Sequence, residues 1–233
     1  ALCIEAHDEG IPCWDKDLSR YVYSSYIASY HPFHLYMDEL PAWDGRDRLT
    51  ALALRVSCRP LWVQGFHTWM LGLASQWMDQ SVLHANSVAP ILVSREQGRR
   101  KSTFCRSLMP DVLMRYYTDN LKLTSQGQAE RLLAEMGLLN MDEFDKYAEN
   151  KMPLLKNLMQ MSALNIRKAY QQNFRQLPRV ASFIGTSNRF DLLTDPTGSR
   201  RFLCVEVKHD IDCTHIEHDQ IFAQLKAELS AGR

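Results

Sequence analysis

The feature that most constrains the fold is a change of sequence pattern near residue 88. Beyond it, short apolar runs that predict strands alternate with stretches of helical periodicity. The predicted strands are "VAPILVS", "GLLNMDEF", "RVASFIGTSN" and "RRFLCVEV"; the predicted helices are "STFCRSLM", "SQGQAERLLAEM", with Ser125 as its N-cap, and "DQIFAQLKAEL". Because alternating strands and helices favour parallel pairing, the pattern predicts an α/β fold with a largely parallel sheet.

Residues 1–85 carry a different pattern, which predicts helices. Within "FHTWMLGLASQWMD" the large apolar side chains recur at helical spacing, at Phe66, Trp69, Met70, Leu73 and Trp77. Such aromatic side chains could stack on nucleic-acid bases, but a stripe at this spacing is more typical of a helix packed on a core. We therefore expect a helical N-terminal region, residues 1–85, followed by an α/β core, residues 86–233.

Composition narrows the class of protein. The 233 residues include 27 Lys plus Arg and 27 Asp plus Glu, so the net charge is zero, and no apolar run reaches the ~18 residues that span a membrane. The six cysteines form no Cys-x-x-Cys pair, which favours free thiols in a reducing cytosol. The first residues match neither a signal peptide nor a methionine start. We expect a cytoplasmic protein with no membrane partner, and a piece of a longer chain.

The segment "ILVSREQGRRKSTF", residues 91–104, ends like a phosphate-binding loop. Such a loop needs inward-pointing backbone N–H groups, a lysine that reaches the β- and γ-phosphates, and a hydroxyl for Mg²⁺. Lys101 and Ser102 meet these needs, whereas Arg95 and Arg100 stand where the usual pattern has glycine. The residues predicted to bind the nucleotide are Glu96, Gln97, Gly98, Arg99, Arg100, Lys101, Ser102 and Thr103.

Two later strands end in polar side chains that could complete this site. Asp142 and Glu143 follow the apolar start of "LLNMDEFD". An acid there can hold Mg²⁺, and the next carboxylate can orient or deprotonate the attacking water; an acid pair at a helix start is the alternative. Asn188, which ends "FIGTSN", could hydrogen-bond the γ-phosphate or the lytic water, or could form a turn.

Two adjacent arginines, Arg200 and Arg201, follow the turn in "DPTGSRRF". Arginine stabilises charge on a transferring phosphoryl group, often from a neighbouring subunit. Because adjacent side chains on a strand point to opposite faces, only one of the two can reach a given phosphate. We predict that one of them acts on the nucleotide of a neighbouring chain.

The order of "QGRRKST", "LLNMDEFD", "GTSN" and "DPTGSRRF" resembles the virulence-associated E (VirE) family of P-loop ATPases, as does "LPAWDGRDRL" upstream. The resemblance spans about residues 36–207. It implies a RecA/AAA+-like three-layer core that uses ATP and Mg²⁺. It also implies a relation to superfamily 3 helicases, in a family found in phages, plasmids and integrated mobile elements, commonly beside primase domains.

The resemblance also implies roles for individual residues. Carried over by position, it assigns catalytic roles to Lys101, Glu143, Asn188 and Arg200 or Arg201, and magnesium binding to Ser102 and Asp142. In these roles Asn188 is the sensor of the γ-phosphate and one arginine is the finger. The family usually has glycine at the position of Arg100, so the geometry of the loop there is the main departure.

The stretch from Lys146 to Arg201 is basic within a neutral chain. It contains ten Lys or Arg against three acidic residues, a local charge of +7. Phosphate backbones attract such a stretch without sequence preference. The candidate nucleic-acid contacts are Lys156, Arg167, Lys168, Arg175 and Arg179.

These observations together predict an ATP-hydrolysing, DNA-associated motor of a mobile element. We expect it to act on single-stranded DNA, to pair with a primase domain or protein, and to assemble as a homo-oligomeric ring. Two alternatives stay open. One is a non-catalytic or regulatory nucleotide-binding module, in which Arg95 and Arg100 mark a lost site; the other is a P-loop kinase that acts on a small metabolite.

Overall fold

The computed structural model describes residues 2–27, 30–79, 85–123, 126–147, 149–167, 174–189 and 200–232. Within these ranges the helices are α1 (Leu2–Asp8), α2 (Asp15–Val22), α3 (Pro32–Asp38), α4 (Arg48–Leu54), α5 (Pro60–Trp77), α6 (Lys101–Ser107), α7 (Gln126–Glu135), α8 (Met152–Leu158) and α9 (His218–Ser230). The strands are β1 (Ala89–Val93), β2 (Tyr117–Thr118), β3 (Leu138–Met141), β4 (Ala163–Arg167), β5 (Phe174–Pro178), β6 (Ser182–Ser187) and β7 (Phe202–Glu206).

Five of the strands form one parallel sheet, in the order β2-β3-β6-β1-β7. This confirms the predicted α/β class and the four predicted strands. β1, β3 and β6 are buried along their whole length, as expected for parallel strands covered on both faces. Because β6 lies between β1 and β3, the carboxyl ends of these three strands are neighbours. We call this side of the sheet its carboxyl edge.

The apolar stripe of α5 is core. Phe66, Trp69, Met70, Leu73 and Trp77 are each at most 1% exposed, which confirms the packing interpretation and removes these side chains from any base-stacking surface. Trp77 stacks on Phe222 of α9, with ring centroids 4.8 Å apart and an interplanar angle of 8°. The helices before the sheet therefore share a hydrophobic cluster with β1, β3 and β6. The domain boundary near residue 85 stays a prediction.

Helix α8 and the strands β2, β4 and β5 carried no prediction. β2 is a two-residue strand at one edge of the sheet, and β4 and β5 form an antiparallel hairpin in which Ala163 lies opposite Pro178. The predicted N-cap Ser125 lies outside the described residues, as do residues 168–173, which follow β4 in the sequence. No helix in the described part of the chain combines the length and apolar character needed to cross a bilayer.

Candidate nucleotide-binding site

The loop between β1 and α6 turns through two left-handed residues. Gly98 has φ +83°, where its missing side chain removes any strain, and Arg100 has φ 59° and ψ 25°. The Arg100 carbonyl oxygen accepts the hydrogen bond that the Phe104 amide donates at 2.9 Å, so the turn leads directly into α6. The left-handed backbone at Arg100 is the physical reason why a glycine would fit this position.

Lys101 brings its ammonium group into the gap between β1 and β6. Its Nζ donates to Ser94 Oγ at 2.7 Å and to Asn188 Oδ1 at 3.1 Å, and the residue is 9% exposed. Burial lowers the pKa of Lys101, while the more distant Asp142 and Asp145 act in the opposite direction. No carboxylate of the described residues lies within 4.0 Å of this nitrogen. The lysine therefore presents a cation held by neutral oxygens, which suits an anionic ligand.

A hydroxyl and a carboxylate meet beside this lysine. Ser102 Oγ donates to Asp142 Oδ1 at 2.7 Å, and Thr186 Oγ1 donates to the same oxygen at 2.6 Å. Thr186 Oγ1 also accepts the Glu143 amide hydrogen at 3.2 Å. Hydroxyl and carboxylate oxygens are ligands that Mg²⁺ accepts in proteins, so Ser102 and Asp142 fit the magnesium prediction in chemistry and proximity. Thr186, which lies on β6 two residues before Asn188, carried no prediction.

The turn after β3 carries two further carboxylates with different partners. Glu143 has φ 50° and ψ 51°, and its Oε2 accepts a hydrogen bond from Lys146 Nζ at 2.5 Å. Asp145 Oδ1 accepts from Ser187 Oγ at 2.7 Å and from the Asn188 amide at 3.2 Å. Burial would raise the pKa of Asp145, but these hydrogen bonds outweigh it and lower the pKa. Asp145, which carried no prediction, thus fixes the backbone that positions Asn188.

The other predicted loop residues are exposed or form ion pairs. Arg99 forms ion pairs with Glu96 and with Asp210, the latter at 2.9 Å, which fastens the loop to the segment after β7. Glu96, Gln97 and Thr103 are exposed. Their part in nucleotide binding stays a prediction, whereas the Asp210 contact gives Arg99 a structural role.

A cavity of about 340 Å³ opens beside the loop. It is lined by Ser94, Arg95, Glu96, Arg99, Glu206, Val207 and Lys208. Its size lies within the range of ~300–1,000 Å³ that is typical of small-ligand sites. A larger cavity of about 520 Å³ is lined by residues that include Tyr36 and His218, and none of its lining residues belongs to the Lys101 cluster. We choose the Lys101 cluster as the candidate site because of its chemistry, although the other cavity is larger.

The structure does not bring Arg200 and Arg201 to this cluster. They precede β7, and the Arg201 carbonyl accepts the Ala89 amide hydrogen at 2.7 Å, beside the start of β1. The cluster lies beyond the carboxyl end of β1, a strand of five residues that spans roughly 16 Å. The two arginines therefore lie at the opposite edge of the sheet from the predicted nucleotide-binding residues of their own chain.

The nucleic-acid prediction for Arg179 is wrong. Its side chain is 1% exposed, and its guanidinium donates to backbone carbonyls, among them Ala181 O at 2.7 Å, Met159 O at 2.7 Å and Asn86 O at 3.1 Å. Burial lowers its pKa to about 9. A basic residue inside a basic stretch is expected to be exposed. Here the guanidinium is buried because carbonyl oxygens after α8 and just before β6 accept its hydrogen bonds.

For the other basic candidates, contact with nucleic acid stays a prediction. Lys156 lies on α8 and is half-buried. Arg167 is the last residue of β4, and Arg175 is the second residue of β5. Lys168 lies outside the described residues.

One group in the described part of the chain brings three residues that could bind a metal together away from this cluster. His31, His34 and Asp79 have ligand atoms within 4.8 Å of one another. His31 Nδ1, however, accepts the His34 amide hydrogen at 3.2 Å, so the neutral ring carries its proton on Nε2. That leaves His31 without a nitrogen lone pair for a metal, and the arrangement acts as a helix cap.

Fold and cluster together define an α/β protein whose parallel sheet gathers a lysine, two hydroxyls, carboxylates and an amide at its carboxyl edge. The family model of the virulence-associated protein E-like domain matches residues 37–233, so the chain belongs to that family. This confirms the VirE resemblance. A comparison with curated proteins finds no match.

Solved structures support the same fold. Two apo structures of the NrS-1 C-terminal region align with TM-scores of 0.51, at 17% and 19% identity. They cover 81% and 85% of this chain, and this chain spans 44% and 48% of theirs. At such identity the likeness shows the fold alone.

Proposed function

We propose that the chain is the ATP-hydrolysing core of a DNA-associated motor. The observation that carries the proposal is the meeting of Lys101, Ser102, Asp142 and Asn188 at the carboxyl edge of the sheet, where α/β proteins bind ligands. These residues come from three strand ends far apart in sequence. A purely structural cluster would pair the buried lysine with a carboxylate, whereas this one pairs it with neutral oxygens.

Each residue then has a task in phosphoryl transfer. Lys101 moves its hydrogen bonds from Ser94 and Asn188 to phosphate oxygens and offsets their charge. Ser102 and Asp142 would hold Mg²⁺, which neutralises charge on the β- and γ-phosphates when bound. Asn188, released by the lysine, hydrogen-bonds the γ-phosphate. Glu143 orients the attacking water and accepts its proton.

The proposed biological role rests on the family of the chain and on the positive charge of the basic stretch. Membership of the virulence-associated protein E-like family favours a role in replication of a phage or other mobile element, with a primase domain or protein as partner. In this proposal, single-stranded DNA binds the exposed part of the basic stretch and the paired strands β4 and β5. Arg200 and Arg201 lie far from the candidate site of their own chain. This favours a ring in which a neighbouring subunit supplies an arginine to each site.

A specific observation also favours a second candidate, a regulatory module that binds nucleotide without turnover. Arg100 is strained where a glycine would fit, and the Glu143 carboxylate is occupied by Lys146. Calorimetric titration with ATP, combined with product analysis, separates the candidates. Binding without phosphate release supports the module, inorganic phosphate supports the ATPase, and a phosphorylated acceptor supports a kinase.

The direct test is Lys101→Ala. We expect loss of hydrolysis and weaker ATP binding with an intact fold, because the only described contacts of the ammonium are neutral oxygens that can pair with each other or water. Lys101→Met keeps the volume of the buried side chain and should behave alike. Lys122→Ala, at an exposed lysine outside the cluster, is the matched control. Unchanged turnover in both Lys101 variants would refute the site.

A further inference from the structure

Lys146 forms an ion pair with Glu143, the carboxylate that orients the attacking water in the proposed mechanism. Glu143 directly precedes a 3₁₀-helical turn, Phe144–Lys146, and residues three apart eclipse each other on such a turn. The lysine consequently folds back over the glutamate, and Nζ donates to Oε2 at 2.5 Å. The turn that presents Glu143 to the site thus also supplies a cation that holds it.

This contact opposes the role proposed for Glu143. A carboxylate that orients water must accept a hydrogen bond from that water and then its proton. An ammonium bound to the same carboxylate occupies one of its two acceptor oxygens, so that oxygen cannot accept a hydrogen bond from the attacking water. While the pair is intact, Glu143 is held in a less reactive state.

Lys146 is also placed to bind something else. Its side chain is 69% exposed, that of Glu143 is 48% exposed, and Lys146 begins the basic stretch that continues to Arg201. The hydrogen bond to Glu143 raises the pKa of Lys146, so the lysine stays charged. Because exposed ion pairs are weak and screened, a nucleic-acid phosphate can compete with the carboxylate for this ammonium.

We propose that Lys146 is a positioning residue that couples binding of single-stranded DNA to ATP hydrolysis. Without DNA it holds Glu143; with DNA its ammonium moves to a backbone phosphate oxygen, and Glu143 becomes free to orient the attacking water. The inference rests on the proposed ATPase function. In this proposal, DNA bound to the basic stretch affects hydrolysis through the side chain of Lys146 alone, and the sheet does not move.

The test measures steady-state hydrolysis at one protein concentration, with and without oligothymidylate. Lys146→Ala should raise the DNA-free kcat by up to about fivefold, since an exposed pair restrains its partner only weakly, and should leave KM unchanged. Oligothymidylate should stimulate the parent and no longer stimulate this variant. Lys146→Arg keeps a cation and should restore both properties. Lys122→Ala should behave like the parent.

Two further results decide the matter. Glu143→Gln should be inactive with or without Lys146, because the lysine acts only through that carboxylate. A DNA-stimulated parent whose DNA-free kcat is the same as that of Lys146→Ala would overturn the coupling and leave the ATPase standing. No hydrolysis by the parent under any condition would overturn the ATPase itself, and the coupling with it.

Discussion

Replacement of Arg100 by glycine should stabilise the chain, because this residue has φ 59° and ψ 25°. Its carbonyl oxygen accepts the first hydrogen bond of α6 at 2.9 Å, so the backbone cannot relax without loss of that bond. A side chain in the left-handed region costs about 1–2 kcal/mol relative to glycine. The extra freedom of glycine in the unfolded chain offsets about 0.5–1 kcal/mol. The free energy of unfolding should therefore rise by about 0.5–1 kcal/mol.

The matched comparison is Arg100→Ala, which removes the guanidinium but keeps the Cβ atom and its strain. In a chain of this size, 1 kcal/mol shifts Tm by about 2–4 °C. We expect the glycine variant to melt about 1–4 °C above the alanine variant in a calorimetric scan. A glycine variant that melts at or below the alanine variant would show that the strain is compensated by contacts of the left-handed backbone.

The same variant addresses the departure of the loop from the family pattern. ATP turnover by Arg100→Gly should stay within about tenfold of the parent, or about 1.4 kcal/mol in barrier, because the Lys101 contacts do not involve the Arg100 side chain. Complete loss of turnover would assign a specific role to the arginine, such as a contact with the triphosphate.

Three further outcomes are expected. Mixing an Arg200→Ala, Arg201→Ala protein with a Lys101→Ala protein should restore part of the activity, and specific activity should rise with concentration; a flat profile without rescue would contradict a shared site. Arg179→Met should lower the free energy of unfolding by about 3 kcal/mol in chemical denaturation, since carbonyls lose their donors, and a change below about 0.5 kcal/mol would refute this role. Glu143→Gly should be about 0.5–1 kcal/mol more stable than Glu143→Ala, yet both should lack hydrolysis.

Much of the core could be predicted because its signals are local. β1, β3 and β6 are buried throughout and lie in segments rich in apolar residues, and the polar residues that end these segments follow in a fixed order. Parallel pairing then brings these ends together, which is how Lys101 and Asn188 come within 3.1 Å across 87 positions of sequence. Strand prediction and parallel topology suffice for that much of the site.

The misplaced and missed residues depend on tertiary partners. Arg179 looks like its basic neighbours, and only the carbonyls around it make burial possible. Asp145 and Thr186 act through hydrogen bonds between adjacent strand ends, which composition and periodicity do not encode. The position of Arg200 and Arg201 is different: residues that open a parallel strand must lie at its amino edge, so their distance from the site follows from the predicted topology itself.

Arg100 and Glu143 show two reasons why a strained residue persists. Both have left-handed backbones without being glycine; Arg100 directly precedes α6, and Glu143 lies two residues after β3. At position 100 the required feature is the turn into α6, which glycine supplies at lower cost, so the side chain is dispensable to the proposed chemistry. At position 143 the required feature is the carboxylate, which glycine cannot supply. Under the proposed chemistry, strain at Glu143 is therefore tied to function, whereas strain at Arg100 is tied only to the residue that stands there.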